Sequence, residues 1–292
     1  MHEVWRGLVA SLLAALLLSI AIGAAKADDT ETKQLACSMC DALAARMTGE
    51  PEQPFVFRSY EPANGGSALH PSLENTGFTY DNALVMMALY GCQRKAEARR
   101  VADALVVALE TDRRYNDGRL RNGYRSGPVI PGKDGMLLPG YWSTASNSWV
   151  EDGYQVGTAT GSTAWGALAM LMAYEETNQQ AYLDAARKIM TWIHRNTADP
   201  KNVGYLGGFF GHEPTPERMT WKSTEHNLDI YAADSWLARL DPGATGHIRA
   251  TAPCSFLRPC GTRPRAASTS AARPTATHPM WPCRASMPNS GH

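Results

Sequence analysis

Two segments of this chain are apolar on every side, and they constrain its fold more than any other feature. Residues 83–90 have the sequence ALVMMALY and residues 164–174 have the sequence AWGALAMLMAY, with no charged side chain in either. At helical spacing such residues form a helix without a polar face, which must be buried all round. Other helices must therefore surround both segments.

Each enclosed segment is followed by an amphipathic partner. Residues 94–111 and 180–196 each place apolar side chains on a single stripe, and a third unit begins at Ser223 and extends to about Leu240. Pairs of one enclosed and one surface-facing helix are the units of an α/α toroid, in which inner helices form a ring and outer helices wrap it. We therefore predict an all-α fold, an α/α toroid of helical hairpins over residues 28–241 that forms part of an (α/α)6 barrel.

The two ends of the chain differ from this body. Residues 1–27 have a short basic region, an uncharged apolar run and the stretch Ala25-Lys26-Ala27, which is typical of a secretory signal peptide cleaved after Ala27. An apolar run of about 15 residues is shorter than the roughly 20 that a spanning helix needs. We expect the mature protein to be periplasmic or secreted and not to be anchored in a membrane.

Residues 242–292 are rich in Pro and contain six Arg, three Cys and no acidic residue. They show neither a helical nor a strand period, so we interpret them as a disordered or aberrant tail. Lys plus Arg equals Asp plus Glu over the whole chain, at 28 each, so the body without its tail is acidic. No basic excess of the kind that binds nucleic acid exists, and we predict no nucleic-acid partner.

The cysteines of the body leave two interpretations open. Cys37 and Cys40 could form a local disulfide or redox pair, but we favour two unlinked cysteines on an N-terminal helix, since no βαβ pattern surrounds them. Cys92 is most simply a small buried apolar residue.

The starts of the three enclosed helices carry polar residues. In a toroid these N-termini lie at the same end, so the residues there converge. Helix capping explains single residues such as Thr79, Ser162 and Ser223, and acids in a first turn favour the helix dipole. Capping does not explain a set of acid, imidazole and amide side chains in one turn, namely Glu225, His226, Asn227 and Asp229.

At two of these starts the sequence resembles a known family. Residues 80–84, YDNAL, and residues 221–229, WKSTEHNLD, look like the six-hairpin glycosidase superfamily. The resemblance covers about three of six hairpins, over residues 50–240. It implies a carbohydrate-active enzyme with a saccharide cleft at the inner-helix N-termini, lined by aromatic rings and two working carboxylates.

Hydrolysis of a glycosidic bond needs one carboxylic acid that protonates the leaving oxygen and one carboxylate that activates water or attacks. We assign the base to Asp81 and the acid to Glu225, with Asp229 as the rival on the same helix face. Oligo- or polysaccharide is the predicted substrate. Its binding residues are predicted to be Tyr80, Asn82, Trp142, Trp149, Asp152, Trp221, His226 and Asn227.

Two other functions stay open. A sugar epimerase or isomerase on the same scaffold would use His226 for proton transfer. A non-catalytic saccharide-binding remnant would keep the aromatic rings without turnover. The motifs of lipases, NTPases and zinc proteases are missing, and we predict neither a metal nor a cofactor.

Overall fold

The computed structural model describes residues 31–62, 68–130 and 135–244. The predicted signal peptide lies outside these residues, as does the predicted tail beyond Ala244. Within them the chain forms seven α-helices, two 3-10 turns (Pro71–Leu73 and Pro242–Ala244) and nine strands, each strand of two or three residues. The first helix, α1, includes residues 31–44.

The enclosed helices stand side by side. They are α2 (Thr79–Gly91), α5 (Thr160–Thr177) and α7 (Thr224–Leu240), and α5 packs against both of the others. The apolar segments predicted to be enclosed form α2 and α5, and Met86, Leu89, Met170 and Leu171 are fully buried there. Loss of apolar surface from water is the main stabilising contribution at these positions.

The amphipathic partners form the outer layer. Helix α3 (Lys95–Glu110) packs against α2, and α6 (Gln180–Asn196) packs against α5. Each follows its inner helix after a short connection, so the two run antiparallel. The predicted fold, a partial α/α toroid of helical hairpins, is confirmed.

Consecutive units are joined through the first residue of an inner helix. The hydroxyl of Thr79 donates to the carbonyl of Arg121 at 2.6 Å, and that of Thr160 donates to the carbonyl of Leu206 at 2.6 Å. In both cases the acceptor belongs to the segment that leads into the next inner helix. Thr79 is therefore not a helix cap, because its side chain fixes the neighbouring unit instead.

Short strands occupy the end of the molecule where the inner helices begin. They are β1 (Phe55–Val56), β2 (Thr76–Phe78), β3 (Gly123–Arg125), β4 (Gly127–Pro128), β5 (Tyr141–Ser143), β6 (Ser148–Val150), β7 (Thr158–Ala159), β8 (Gly208–Phe210) and β9 (Glu217–Met219). All pair antiparallel, as β1-β4, β2-β3, β5-β6 and β7-β8-β9. Strand β2 leads into α2 and β7 leads into α5. The single-turn helix α4 (Gly153–Val156) lies between β6 and β7.

A disulfide joins Cys40 of α1 to Cys92, the residue that follows α2. The expectation that Cys92 is a plain buried residue is therefore wrong. The expectation that Cys37 and Cys40 are unlinked is wrong as well, because both are disulfide-bonded. Sequence spacing could not show the Cys40–Cys92 pair, because 52 residues separate these two cysteines and only the packing of α1 beside α2 brings them together.

The far edge of the inner layer is α7. Its surface exposes Leu228 and Tyr231, which lie three residues apart on one face. After it, Pro242–Ala244 form a 3-10 turn. No helix of the described part has both the length and the hydropathy of a membrane span.

Candidate functional site

The three inner helices begin in the same register. The first residue of each is Thr, at 79, 160 and 224, and the fourth is Asn82, Thr163 or Asn227. Equivalent positions of α2, α5 and α7 therefore meet at one end of the helical layer. The second residues are Tyr80, Gly161 and Glu225, and the third residues are Asp81, Ser162 and His226.

All six of these second and third residues line one cavity of about 270 Å³. Two sixth residues, Trp165 of α5 and Asp229 of α7, also line it. Tyr60, Phe78 of β2 and Tyr154 of α4 complete the lining. We call this space the acidic cavity, after its three carboxylates Asp81, Glu225 and Asp229.

Asp229 has the most perturbed carboxyl in the acidic cavity. Burial, and secondly the charge of Glu225, raise its pKa from 3.8 to about 6, while Trp165 acts in the opposite direction. Its Oδ2 atom is buried without a hydrogen-bond partner in the described residues. A carboxyl whose pKa is raised toward neutral pH is better suited to general acid catalysis than one with an ordinary pKa. Glu225, one turn earlier, is exposed.

His226 lies against Gly161 at the side of the cavity. A Cβ added to Gly161 would lie 2.3 Å from Cδ2 of the imidazole, so only glycine leaves room for this ring. Burial lowers the pKa of His226, and the charge of Glu225 offsets part of this decrease. The lowered pKa favours the neutral ring at neutral pH. Its Nδ1 atom is buried and has no hydrogen-bond partner in the described residues.

Aromatic rings line the rest of the cavity. Tyr80 meets Trp165 edge to face with ring centroids 5.3 Å apart, and Phe78 lies 6.0 Å from both Tyr60 and Tyr154. Aromatic side chains offer flat apolar surface together with a polar tip, as a sugar ring requires. The acidic cavity thus combines apolar ring surfaces with carboxyl, imidazole and hydroxyl groups.

Two predicted binding residues serve the backbone instead. Asn82 accepts from the N–H of Phe57 at 2.7 Å and donates to its carbonyl at 3.1 Å. Asn227 makes the same pair of bonds to Tyr205, at 2.8 and 3.2 Å. Both amides are buried and paired, so neither is available to a ligand.

Four other predicted binding residues lie outside the lining of the acidic cavity. The carboxylate of Asp152 caps α4 by accepting from the N–H groups of Tyr154 and Gln155. Trp142 and Trp149 face each other across the β5-β6 hairpin, and both are exposed. Trp221 is also exposed, and its ring centroid lies 5.5 Å from that of His226.

Five of the residues that line the cavity agree with the sequence prediction, namely Tyr80, Asp81, Glu225, His226 and Asp229. Ser162 and Trp165 also line it and were not predicted for the site. The signal for these two is the repeated Thr at each inner-helix start. Once the three Thr are aligned, Ser162 falls at the position of Asp81 and His226, and Trp165 at that of Asp229. No group of three or more metal-ligating side chains with suitable geometry occurs in the described ranges.

No family model matches this sequence, and no curated protein matches it. Among solved structures, an unsaturated glucuronyl hydrolase from Bacillus sp. GL1 is similar, with a TM-score of 0.49 and 14% identity over 76% of this chain and 54% of that chain. A family 76 glycoside hydrolase from a bovine Bacteroides thetaiotaomicron strain gives a TM-score of 0.39 and 20% identity, over 60% of this chain and 35% of that one. The chain thus spans about half the length of the first of these. The similarity to these structures is one of fold alone.

Proposed function

We propose that this chain is a secreted carbohydrate-active enzyme that hydrolyses glycosidic bonds in an oligo- or polysaccharide. The observation that carries the proposal is the acidic cavity, in which the half-buried Asp229, with its pKa raised to about 6, lies one helical turn from Glu225, and Asp81 enters from another inner helix. One acid and one base on opposite sides of a sugar are the two groups that the reaction needs.

The environments of the carboxyls suggest how the roles divide. Asp229, with its raised pKa, would donate its proton to the glycosidic oxygen as the bond to the anomeric carbon breaks. Asp81 would take the proton of the attacking water or attack the anomeric carbon itself. Glu225 would then support the acid, because its charge helps to keep the proton on Asp229. This exchanges the acid role between Glu225 and Asp229 relative to the assignment from sequence.

Secretion is supported by two features of different origin. The N-terminal 27 residues have the pattern of a signal peptide. The Cys40–Cys92 disulfide is a feature of proteins in oxidising compartments.

The test is hydrolysis of a panel of oligosaccharides by the full chain and by the variants Asp229→Asn and Asp81→Asn. We expect each variant to lower kcat/KM by about 10²-fold or more, since loss of general acid or base catalysis has this magnitude. Glu52→Gln, which changes an exposed carboxylate that does not line the acidic cavity, is the matched control and should keep full activity. Full hydrolysis by both cavity variants, with native circular dichroism, would refute the proposal.

His226 gives a specific reason to examine the products as well. A neutral imidazole with an unpaired buried Nδ1 atom is able to move a proton within a sugar without breaking the glycosidic bond. NMR spectra of the products distinguish the two reactions. A new epimer with the length of the oligosaccharide unchanged would show that the reaction is epimerisation and not hydrolysis. His226→Gln should then abolish epimer formation.

A further inference from the structure

A second, larger cavity lies beside the loop that carries Trp149 and Glu151. Its volume is about 610 Å³, and three arginines, Arg113, Arg114 and Arg125, contribute to its lining. We call it the arginine cavity. None of its lining residues lines the acidic cavity.

One of these arginines is neutralised by fixed partners. Arg113 donates to both oxygens of Glu151 at 2.7 Å and also to Glu213. Glu213 in turn accepts from the fully buried Arg121 at 3.0 Å. Burial would raise the pKa of Glu213, but the hydrogen bonds from Arg113 and Arg121 outweigh it and lower the pKa to about 2. This network holds one wall of the cavity in place.

The other two arginines are not neutralised in this way. Arg114 and Arg125 are exposed, and neither guanidinium has a hydrogen bond or an ion pair with any residue in the described ranges. Arg125 is held at the end of β3, where its N–H donates to the carbonyl of Leu137 at 3.0 Å. A guanidinium binds a carboxylate or sulfate through two parallel hydrogen bonds, so two such groups at one cavity form an anion site.

An aromatic surface adjoins these two charges. The ring of Trp149 is 45% exposed, and it lies against Gly140, where an added Cβ would be 2.7 Å from the ring. Its Nε1 donates to Glu151 at 3.3 Å, which fixes the ring orientation. A fixed, half-exposed indole beside positive charge suits a sugar ring that bears an anion.

The two cavities are close along the chain. Glu151 lines the arginine cavity and Tyr154 lines the acidic cavity, so at most about 11 Å of backbone separates them. Arg113 and Arg114 follow the C-terminal end of α3, which runs antiparallel to α2 and so ends near Asp81. The two cavities therefore lie within the span of a few sugar units of each other.

We propose that the arginine cavity binds an acidic sugar unit of the substrate, with Arg114 and Arg125 on its carboxylate or sulfate and Trp149 on its ring. The inference rests on the proposed function and names its substrate class, an acidic oligosaccharide whose scissile bond lies in the acidic cavity.

The experiment is calorimetric binding to the full chain carrying Asp229→Asn, so that no turnover occurs. The probes are tetragalacturonate, which carries carboxylates, a κ-carrageenan tetrasaccharide, which carries sulfates, and carboxyl-reduced tetragalacturonate as the neutral match. We expect at least one acidic probe to bind, and Arg114→Gln or Arg125→Gln to weaken it by about 5- to 20-fold. The probe whose binding is weakened shows whether the site prefers a carboxylate or a sulfate. Arg99→Gln, on the first turns of α3, is the matched control and should change the affinity less than twofold.

Three results would overturn the site: neither acidic probe binds more tightly than the neutral one, the arginine variants bind like the parent, or Arg99→Gln weakens binding equally. The proposed hydrolase activity is tested by a different result. Acidic probes that bind through Arg114 and Arg125, but are never cleaved by the unmutated chain, would refute hydrolysis and keep the anion site. Cleavage that is unchanged by Arg114→Gln and Arg125→Gln would support hydrolysis and refute the anion site.

Discussion

Replacement of Asp229 by Asn should stabilise the folded protein at neutral pH. Unfolding returns this carboxyl to an ordinary pKa of 3.8, whereas the folded cavity raises its pKa to about 6. Between these two values the folded state holds a proton that the unfolded state has lost, so stability falls as pH rises from about 4 to about 6 and stays lower above that. Asn resembles the protonated carboxyl and avoids this loss.

The size of the effect follows from the same difference. A pKa difference of about two units corresponds to about 3 kcal/mol, at 1.36 kcal/mol per unit. Asp229 is only half-buried, and solvent screens part of this interaction, so we expect about 1–2 kcal/mol. The same variant should lose hydrolytic activity, which makes it more stable and less active than the parent chain.

The assay is urea unfolding of parent and variant at pH 4 and pH 7.5. We expect nearly equal free energies of unfolding at pH 4 and a more stable variant at pH 7.5. Glu213→Gln is the matched control with the opposite sign, because the pKa of Glu213 is lowered to about 2 from 4.5. Its stabilisation is present above pH 4.5 and is lost as pH falls toward 2, so this variant should be less stable at pH 7.5. A stability difference between parent and Asp229→Asn that is the same at both pH values would refute the reasoning.

Three further changes test the scaffold around the site. Gly161→Ala places a methyl group 2.3 Å from the His226 ring, so it should cost about 1–3 kcal/mol of stability in thermal unfolding. It should also lower turnover, and unchanged turnover would show that the position of the His226 ring is unimportant for activity. Arg121→Met leaves Asp112 and Glu213 buried without their shared cation and should cost about 3–5 kcal/mol in urea unfolding, and a loss below 1 kcal/mol would contradict the network. Cys92→Ser opens a loop of 52 residues and should cost about 2–4 kcal/mol by the same measurement, and a loss below about 0.5 kcal/mol would contradict a stabilising disulfide.

The apolar pattern predicted the helical layers closely. The stripe of residues 180–196 became α6 (Gln180–Asn196), and the all-apolar segments became the buried parts of α2 and α5. Periodicity succeeds here because each helix buries the side chains that its sequence places on one face or on all faces. The short strands were not predicted, since two or three residues carry no period.

The residues of the candidate site were only partly predictable from the sequence. The three acids Asp81, Glu225 and Asp229 were recognisable because they cluster at helix starts. Asn82 and Asn227 also lie at helix starts, each as the fourth residue of its helix, but they bind the backbone of Phe57 and Tyr205. Sequence cannot distinguish an amide that faces a cavity from one that faces a loop. Trp142 and Trp149 were predicted to share the site of the acids, whereas they pair with each other on the β5-β6 hairpin and neither lines the acidic cavity.

The sequence by itself determined that enclosed helices alternate with amphipathic ones and that polar residues cluster where the enclosed helices start, because both features are local in the chain. Only the tertiary structure decided which of these polar groups share a cavity, that Cys40 meets Cys92, and that burial raises the pKa of Asp229 to about 6. Each of these depends on packing between segments tens of residues apart, where burial and neighbouring charge change the chemistry of a side chain.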